Sequence, residues 1–238
     1  MKTLGIIGGL GPMATALFMQ RIIEMTDASC DQEHIEMIIY NKPSIPDRTG
    51  YILDHTKANP LEPMAEVGNH LANQGVDVIA IPCITSTYFY DDLTKGIPIP
   101  VINGIDAVCS YLNHNNISRV GLMATSGTIA SGLFQDKLAK SGIELVLPDD
   151  AGQSAVISVI YDGVKAGKPV PMDLFHNASV ELRDQGAEVI ILGCTELSVV
   201  KSTHEIGSGF LDALDVLAQS CVNSCGTLKK EYIDLIIK

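Results

Sequence analysis

Leu71-Ala72-Asn73-Gln74-Gly75-Val76-Asp77-Val78-Ile79-Ala80-Ile81-Pro82-Cys83 lies without a gap over Leu182-Arg183-Asp184-Gln185-Gly186-Ala187-Glu188-Val189-Ile190-Ile191-Leu192-Gly193-Cys194. The leucine, the Gln-Gly pair, the Val-Ile pair and the cysteine coincide. Each segment reads as a helix end, a glycine turn, a buried strand and a thiol at the strand's C-terminal tip. A fold duplicated in this way can set two thiols on opposite sides of one small molecule. That arrangement suits taking a proton from one face of a carbon and returning one to the other.

The rest of the chain follows the same alternation. Strands are expected at Thr3–Gly8, Ile35–Tyr40 and Val76–Ile81, and again at Arg119–Ala124, Ile143–Leu147 and Val189–Leu192. Between them, helices are expected near 13–26, 60–73, 153–165 and 172–185, with another opening at Thr125-Ser126-Gly127-Thr128. The tail from Phe210 reads as helix packing back on the first half. Strands alternating with helices give an α/β fold with mainly parallel, doubly wound sheets. The expectation is two pseudo-symmetric units, residues 1–100 plus 209–238 and residues 101–208, with the site in the cleft between them. Ligands of such sheets sit outside the carboxyl ends of the strands. Both cysteines, both glycine-rich turns and the proline-rich loop Pro43–Arg48 fall there.

Bulk properties narrow the function. The chain has 238 residues, 46% hydrophobic and 18% charged, as expected of a globular α/β protein. A net charge of -12 leaves no basic stripe for nucleic acid. Met1–Gly9 is too short and too glycine-rich for a secretory leader, and no apolar run is long enough to cross a bilayer. A cytoplasmic location and reduced thiols are therefore expected of the six cysteines. No CxxC, HxxxH or HExxH spacing is present, so no metal site is expected.

Two motifs have competing readings. Gly9-Leu10-Gly11-Pro12-Met13-Ala14 fits a dinucleotide fingerprint, but the second strand ends at Tyr40-Asn41-Lys42, with no acidic residue for a ribose. A tight turn approaching a small ligand is the better reading. Cysteine commonly packs as a small buried hydrophobe. The matched places of Cys83 and Cys194, each before hydroxyl residues able to cap a helix, favour chemistry instead. A thiol at a helix N-terminus is expected to have a lowered pKa. Cys30, Cys109, Cys221 and Cys225 lack that setting.

The stretches GGLGPMAT, YNKPSIPDRT, IPCITSTYFYDDL, VGLMATSGTIASGLF, IYDGVKAG and ILGCTELS occur in order over about residues 5–200. With them the chain resembles the cofactor-independent aspartate/glutamate racemase superfamily, most closely its aspartate racemase branch. The resemblance implies two domains, commonly a dimer, no cofactor, and a small amino-acid substrate, acidic in kind. It places the catalytic thiols at Cys83 and Cys194 and the substrate-gripping cations at Arg48 and Lys165. It places further substrate contacts at Gly9, Leu10, Ile84, Thr85, Thr125, Ser126, Thr128, Thr195 and Glu196. The sequence departs from the family at two points: Ile84 stands where aspartate racemases carry asparagine, and Thr87 where they carry histidine. Another substrate (a different amino acid, a hydantoin, maleate) and a ligand-binding role without turnover stay open beside aspartate racemisation. Ile84 favours the binding role, and retention of both cysteines opposes it.

Overall fold

The fully buried run Leu4–Gly8 is strand β1 and the centre of the first sheet. The structure, a computed structural model, describes residues 2–238, so Met1 of the expected first unit lies outside the described residues. Helix α1 follows at Pro12–Met25, opened by a proline at its first position, where the missing N–H costs nothing. Strand β2 (Met37–Asn41) pairs parallel with β1. A short helix α2 (Arg48–Leu53) and the amphipathic α3 (Leu61–Asn73) lead to β3 (Val78–Ala80) on the other side of β1. The sheet order is β2-β1-β3. A 3₁₀ turn at Ile84–Phe89 runs into α4 (Tyr90–Gly96), and α5 (Gly104–His114) crosses to the second half.

There β4 (Arg119–Met123) is followed by α6 (Ser126–Ala130) and α7 (Leu133–Lys140). Strand β5 (Glu144–Val146), α8 (Asp150–Ile157) and a π-helix at Ser158–Lys165 come next. Then come α9 (Met172–Asp184), β6 (Val189–Leu192) and α10 (Thr195–Thr203). Next come β7 (Phe210–Asp212) and α11 (Ala213–Cys225), and a 3₁₀ turn at Lys230–Tyr232 follows them. All pairs in the second sheet are parallel, in the order β5-β4-β6-β7.

The duplicated segments adopt the same local structure. Gly75 and Gly186 sit at φ +85° and +89°, the left-handed region that ends a helix most cheaply with glycine. The repeat reaches further than the sequence suggests. A Cβ on Gly5 of β1 would meet Val76 at 2.8 Å, and one on Gly121 of β4 would meet Leu182 at 3.1 Å and Ala187 at 3.3 Å. In each sheet the central strand gives up a side chain so that the helix-to-strand turn can press onto it.

Two expectations need correction. Residues 153–165 do not form one helix: α8 ends at Ile157 and the backbone widens into a π-helix. The tail is not helical from its start, because Phe210–Asp212 pairs with β6 as the fourth strand of the second sheet. The boundary expected at residue 209 therefore puts a strand of the second sheet in the first unit. One apolar core runs through both sheets: Leu4 and Ile6 of β1 share it with Val108 and Leu112 of α5, Leu217 and Val222 of α11, and Val120 and Leu122 of β4. Helices α5 and α11 pack on each other, and together they join the halves. Among the described residues, no helix is long and apolar enough to cross a membrane.

Candidate active site

Strands β3 and β6 deliver the two thiols. Past β3 the chain turns at Ile81-Pro82, and Cys83 takes an extended backbone at the N-terminus of the 3₁₀ turn. Past β6, Gly193 leaves no room for a side chain, since a Cβ there would lie 2.6 Å from Leu122. Cys194 is then the N-cap of α10. The carbonyls of the two cysteines accept equivalent backbone bonds, from Ser86 at 3.0 Å and from Leu197 at 2.9 Å. The hydroxyls after the cysteines do not cap these helices, contrary to expectation. Ser86 instead donates back to the Cys83 carbonyl at 2.6 Å.

Both thiols line one narrow cleft, with Leu10, Arg48, Ile84, Thr85, Thr125, Lys165, Thr195 and Glu196. Three expected contacts are not in its lining. Gly9, at φ +93°, lets the turn approach the Lys42–Pro43 backbone, and a Cβ there would collide at 2.5 Å. Ser126 opens α6 beside the cleft. Thr128 stands one layer back, where it shares hydroxyl hydrogen bonds with Thr85 (2.9 Å) and Thr125 (3.1 Å). Thr85 and Thr125 also bond each other at 3.2 Å. The result is a triangle of hydroxyls drawn from both halves.

Three lining residues escaped the sequence reading: Asp47, Thr49 and Tyr161. Each lay within a stretch already singled out. Asp47 caps α2 by accepting from the Gly50 N–H, so Arg48 begins a helix rather than sitting in an open loop. Thr49 donates to Thr125 across the cleft at 3.3 Å. Helix α2 fits so closely on α6 that a Cβ on Gly127 would meet the Thr49 Cα at 2.8 Å. Tyr161 lies four residues before Lys165, and the Lys165 ammonium stands 5.4 Å from its ring centre. The wide turn of the π-helix brings that pair onto one face.

The charges are largely paired. Arg48 is buried and donates to the carbonyls of Leu10 (3.1 Å), Pro46 (2.9 Å) and Ile45 (3.4 Å). Its Nε, also buried, has no partner. Burial works against the Arg48 charge, but Cys83, then Asp47 and Glu196, more than offset it, so its pKa is raised. Lys165 pairs with Glu196 Oε1 at 2.8 Å. Burial opposes its charge too, and Glu196, Cys194 and Cys83 outweigh it. The Cys194 thiol donates to Glu196 Oε2 at 2.9 Å. Burial first, and then the Glu196 carboxylate, hold this thiol well above the ordinary thiol range. The lowered pKa expected at a helix N-terminus is therefore reversed at Cys194: desolvation and an adjacent anion outweigh the dipole of a short helix.

Ile84 borders the cleft, but its side chain belongs to the apolar core, with its Cδ1 toward Gly104 at the start of α5. Thr87 is absent from the cleft and lines a separate small cavity with Ile81 and Tyr90. An asparagine at 84 would carry its amide into apolar surroundings. Ile84→Asn is expected to lower stability by ~1–3 kcal/mol, read as a shift in the urea midpoint. An unchanged midpoint would mean that the amide finds partners. Among the described residues, no group of three or more His, Cys, Asp or Glu is placed to hold a metal ion.

Two parallel sheets, each carrying at the tip of one strand a thiol that lines a shared cleft, make up the fold and the site. Residues 7–221 match the Asp/Glu/Hydantoin racemase family, and the chain belongs to it. Within that family it is an amino-acid racemase of the kind that works without pyridoxal phosphate. It is 27% identical over 230 residues to the broad specificity amino-acid racemase RacX of Bacillus subtilis, covering 93% of this chain and 97% of that protein. Among solved structures it is similar to Picrophilus torridus aspartate racemase, with a TM-score of 0.83, 29% identity and 98% of each chain covered. The fold alone is shared with glutamate racemase of Francisella tularensis in complex with D-glutamate: TM-score 0.67, 20% identity, 94% of this chain and 80% of that one.

Proposed function

We propose that this protein racemises an α-amino acid, with aspartate the first candidate, through Cys83 and Cys194 acting as a base and acid pair. The observation that carries this reading is the presence of both thiols in one cleft, each at the tip of a matched strand. Their surroundings differ in a useful way. Cys83 shares the cleft wall with the buried Arg48 guanidinium. Cys194 donates its proton to Glu196, which supports a thiol. In one direction Cys83 takes the α-proton and Cys194 supplies one to the opposite face; in the other direction the roles exchange. In this reading the hydroxyls of Thr85 and Thr125, which line the cleft, and the backbone N–H groups after each cysteine stabilise charge developing on the substrate carboxylate. A cytoplasmic homodimer completes this reading.

A second reading, a substrate other than aspartate, draws on two features. Lys165 is already neutralised by Glu196, and the Ile84 side chain supplies no polar atom to the cleft. The RacX relative is named for broad specificity. The test is chiral chromatography of a panel of single-enantiomer amino acids incubated with the protein and no added cofactor. Formation of the other enantiomer of any member supports the reading, and no turnover of the whole panel sinks it.

The pH profile follows from the same asymmetry. The rate over KM rises as the base thiol ionises and falls as the acid thiol loses its proton, so it is bell-shaped, with limbs that belong to the pair. Because the Cys194 thiol is held well above the ordinary range, the falling limb should lie on the alkaline side of an unperturbed thiol, about 8.5. A maximum well below neutral pH would contradict this assignment.

A further inference from the structure

Behind the cleft lies a cluster of charges that none of the chemistry above uses. Lys201, near the C-terminus of α10, donates to Asp212 Oδ2 at 2.9 Å and to Asp215 Oδ2. Arg21 of α1 grips Asp215 with two bonds, Nε to Oδ1 at 2.7 Å and Nη2 to Oδ2 at 3.0 Å, and also pairs with Glu24. Ser198 of α10 donates to Asp212 Oδ1 at 2.7 Å, and the Leu214 N–H reaches the same oxygen at 2.9 Å. Asp212, Asp215 and Ser198 are all buried.

The topology gives this cluster its meaning. Helix α10 begins at the residue after Cys194 and carries Glu196 in its first turn. Helix α1 begins directly after the glycine turn that presents Leu10 to the cleft. Asp212 and Asp215 stand where β7 enters α11. The ion pairs thus join the helix that holds one thiol to the helix that follows the first sheet's central strand. Helix α10 packs against both α1 and α11, so the cluster sits where the two halves set their mutual position. Apolar packing resists separation but allows sliding. Bidentate and charge-assisted bonds fix direction as well as distance.

We propose that Arg21, Asp215, Lys201 and Asp212, with Ser198, are positioning residues that register Cys194 and Glu196 against the first half of the site. None of them lines the cleft. The proposal rests on the two-thiol reading above, because proton transfer punishes small misplacements. A shift of about 1 Å can cost on the order of 10²-fold in rate. Lys201 is the keystone: without it, two buried carboxylates face each other with Arg21 reaching only one of them.

The test uses Lys201→Met, Lys201→Arg and Ser198→Ala, with Lys95→Ala, which breaks an exposed pair with Asp92, as the control. Racemisation is measured per folded molecule. Iodoacetamide labelling of Cys83 and Cys194 is followed by peptide mass spectrometry without any substrate. Lys201→Met is expected to lower kcat roughly tenfold or more, with KM changed much less, and Lys201→Arg to recover most of the loss. The labelling rate of Cys194 should change several-fold while that of Cys83 stays near its original value. A purely structural cluster would lower thermal stability but leave kcat per folded molecule and both labelling rates unmoved, and that result overturns the proposal. If Lys201→Met does not fold, Ser198→Ala decides: unchanged kcat and unchanged Cys194 labelling overturn it equally. Should the wild-type protein racemise nothing while Cys194 labelling still responds selectively, registration stands and the racemase reading alone fails.

Discussion

Cys83→Ala and Cys194→Ala each lower racemisation at least ~10²-fold, the usual scale for removing a general acid or base. The two thiols are not redundant, because each serves one face of the α-carbon. A single thiol that took the proton from one side could only return it to that side. Each single variant should therefore still exchange the α-proton of one enantiomer with deuterium from solvent, and the two variants should do so for opposite enantiomers. Cys83→Ala leaves the Arg48 guanidinium without the sulfur that helps to offset its burial. Cys194→Ala leaves Glu196 with Lys165 as its remaining strong partner. Neither change opens a large cavity, so both proteins should fold. Full racemisation by either variant would sink the two-base mechanism. Loss of activity together with loss of all exchange would point to a thiol that shapes the site rather than one that moves a proton.

The thiol pair was legible because duplication leaves a mark that single residues do not. A helix end, a left-handed glycine and a buried strand impose the same residue types at the same spacing, so Gln74-Gly75 and Gln185-Gly186 align on physical grounds. The deeper part of the repeat, Gly5 beneath Val76 and Gly121 beneath Leu182, was hidden. A glycine in a strand does not name what presses on it, and these contacts join residues far apart in sequence. Strand β7 was missed for a related reason. Its three residues run straight into a helix, and a strand that short carries no period of its own. Residues such as Tyr161 and Thr49 were passed over because their importance comes from what they face. The sign of the Cys194 shift could not be read locally either. The helix dipole is visible in the sequence, but the burial of Cys194 and the approach of Glu196 are products of the fold.

Lys165→Met is expected to lower kcat/KM for aspartate roughly tenfold or more, the cost of one charge-assisted hydrogen bond of ~1.5–3 kcal/mol, and to affect a neutral amino acid less. The reasoning starts from the resting pairs. Lys165 is held by Glu196 at 2.8 Å, and Glu196 also accepts the Cys194 proton. An acidic substrate must share Lys165 with Glu196, whereas a neutral one leaves the pair intact. Glu196, Cys194 and Cys83 more than offset burial and raise the Lys165 pKa above the ordinary lysine value. Its charge is therefore in place at neutral pH, and its contribution to stability is lost only as pH rises through that raised value. Removing the ammonium leaves the Glu196 carboxylate buried beside a thiol with little to balance it. That carboxylate then draws the Cys194 proton more strongly and holds the thiol higher still. Glu196→Gln removes the stranded charge, so the double variant Lys165→Met with Glu196→Gln should be less impaired on a neutral substrate than Lys165→Met alone, a coupling expected of neighbours in one network. Arg48→Met should be the more damaging change for every substrate, since three backbone carbonyls lose their donor as well. Equal losses on acidic and neutral substrates for Lys165→Met, with no relief from Glu196→Gln, would make this ion pair a structural support with no part in choosing the substrate.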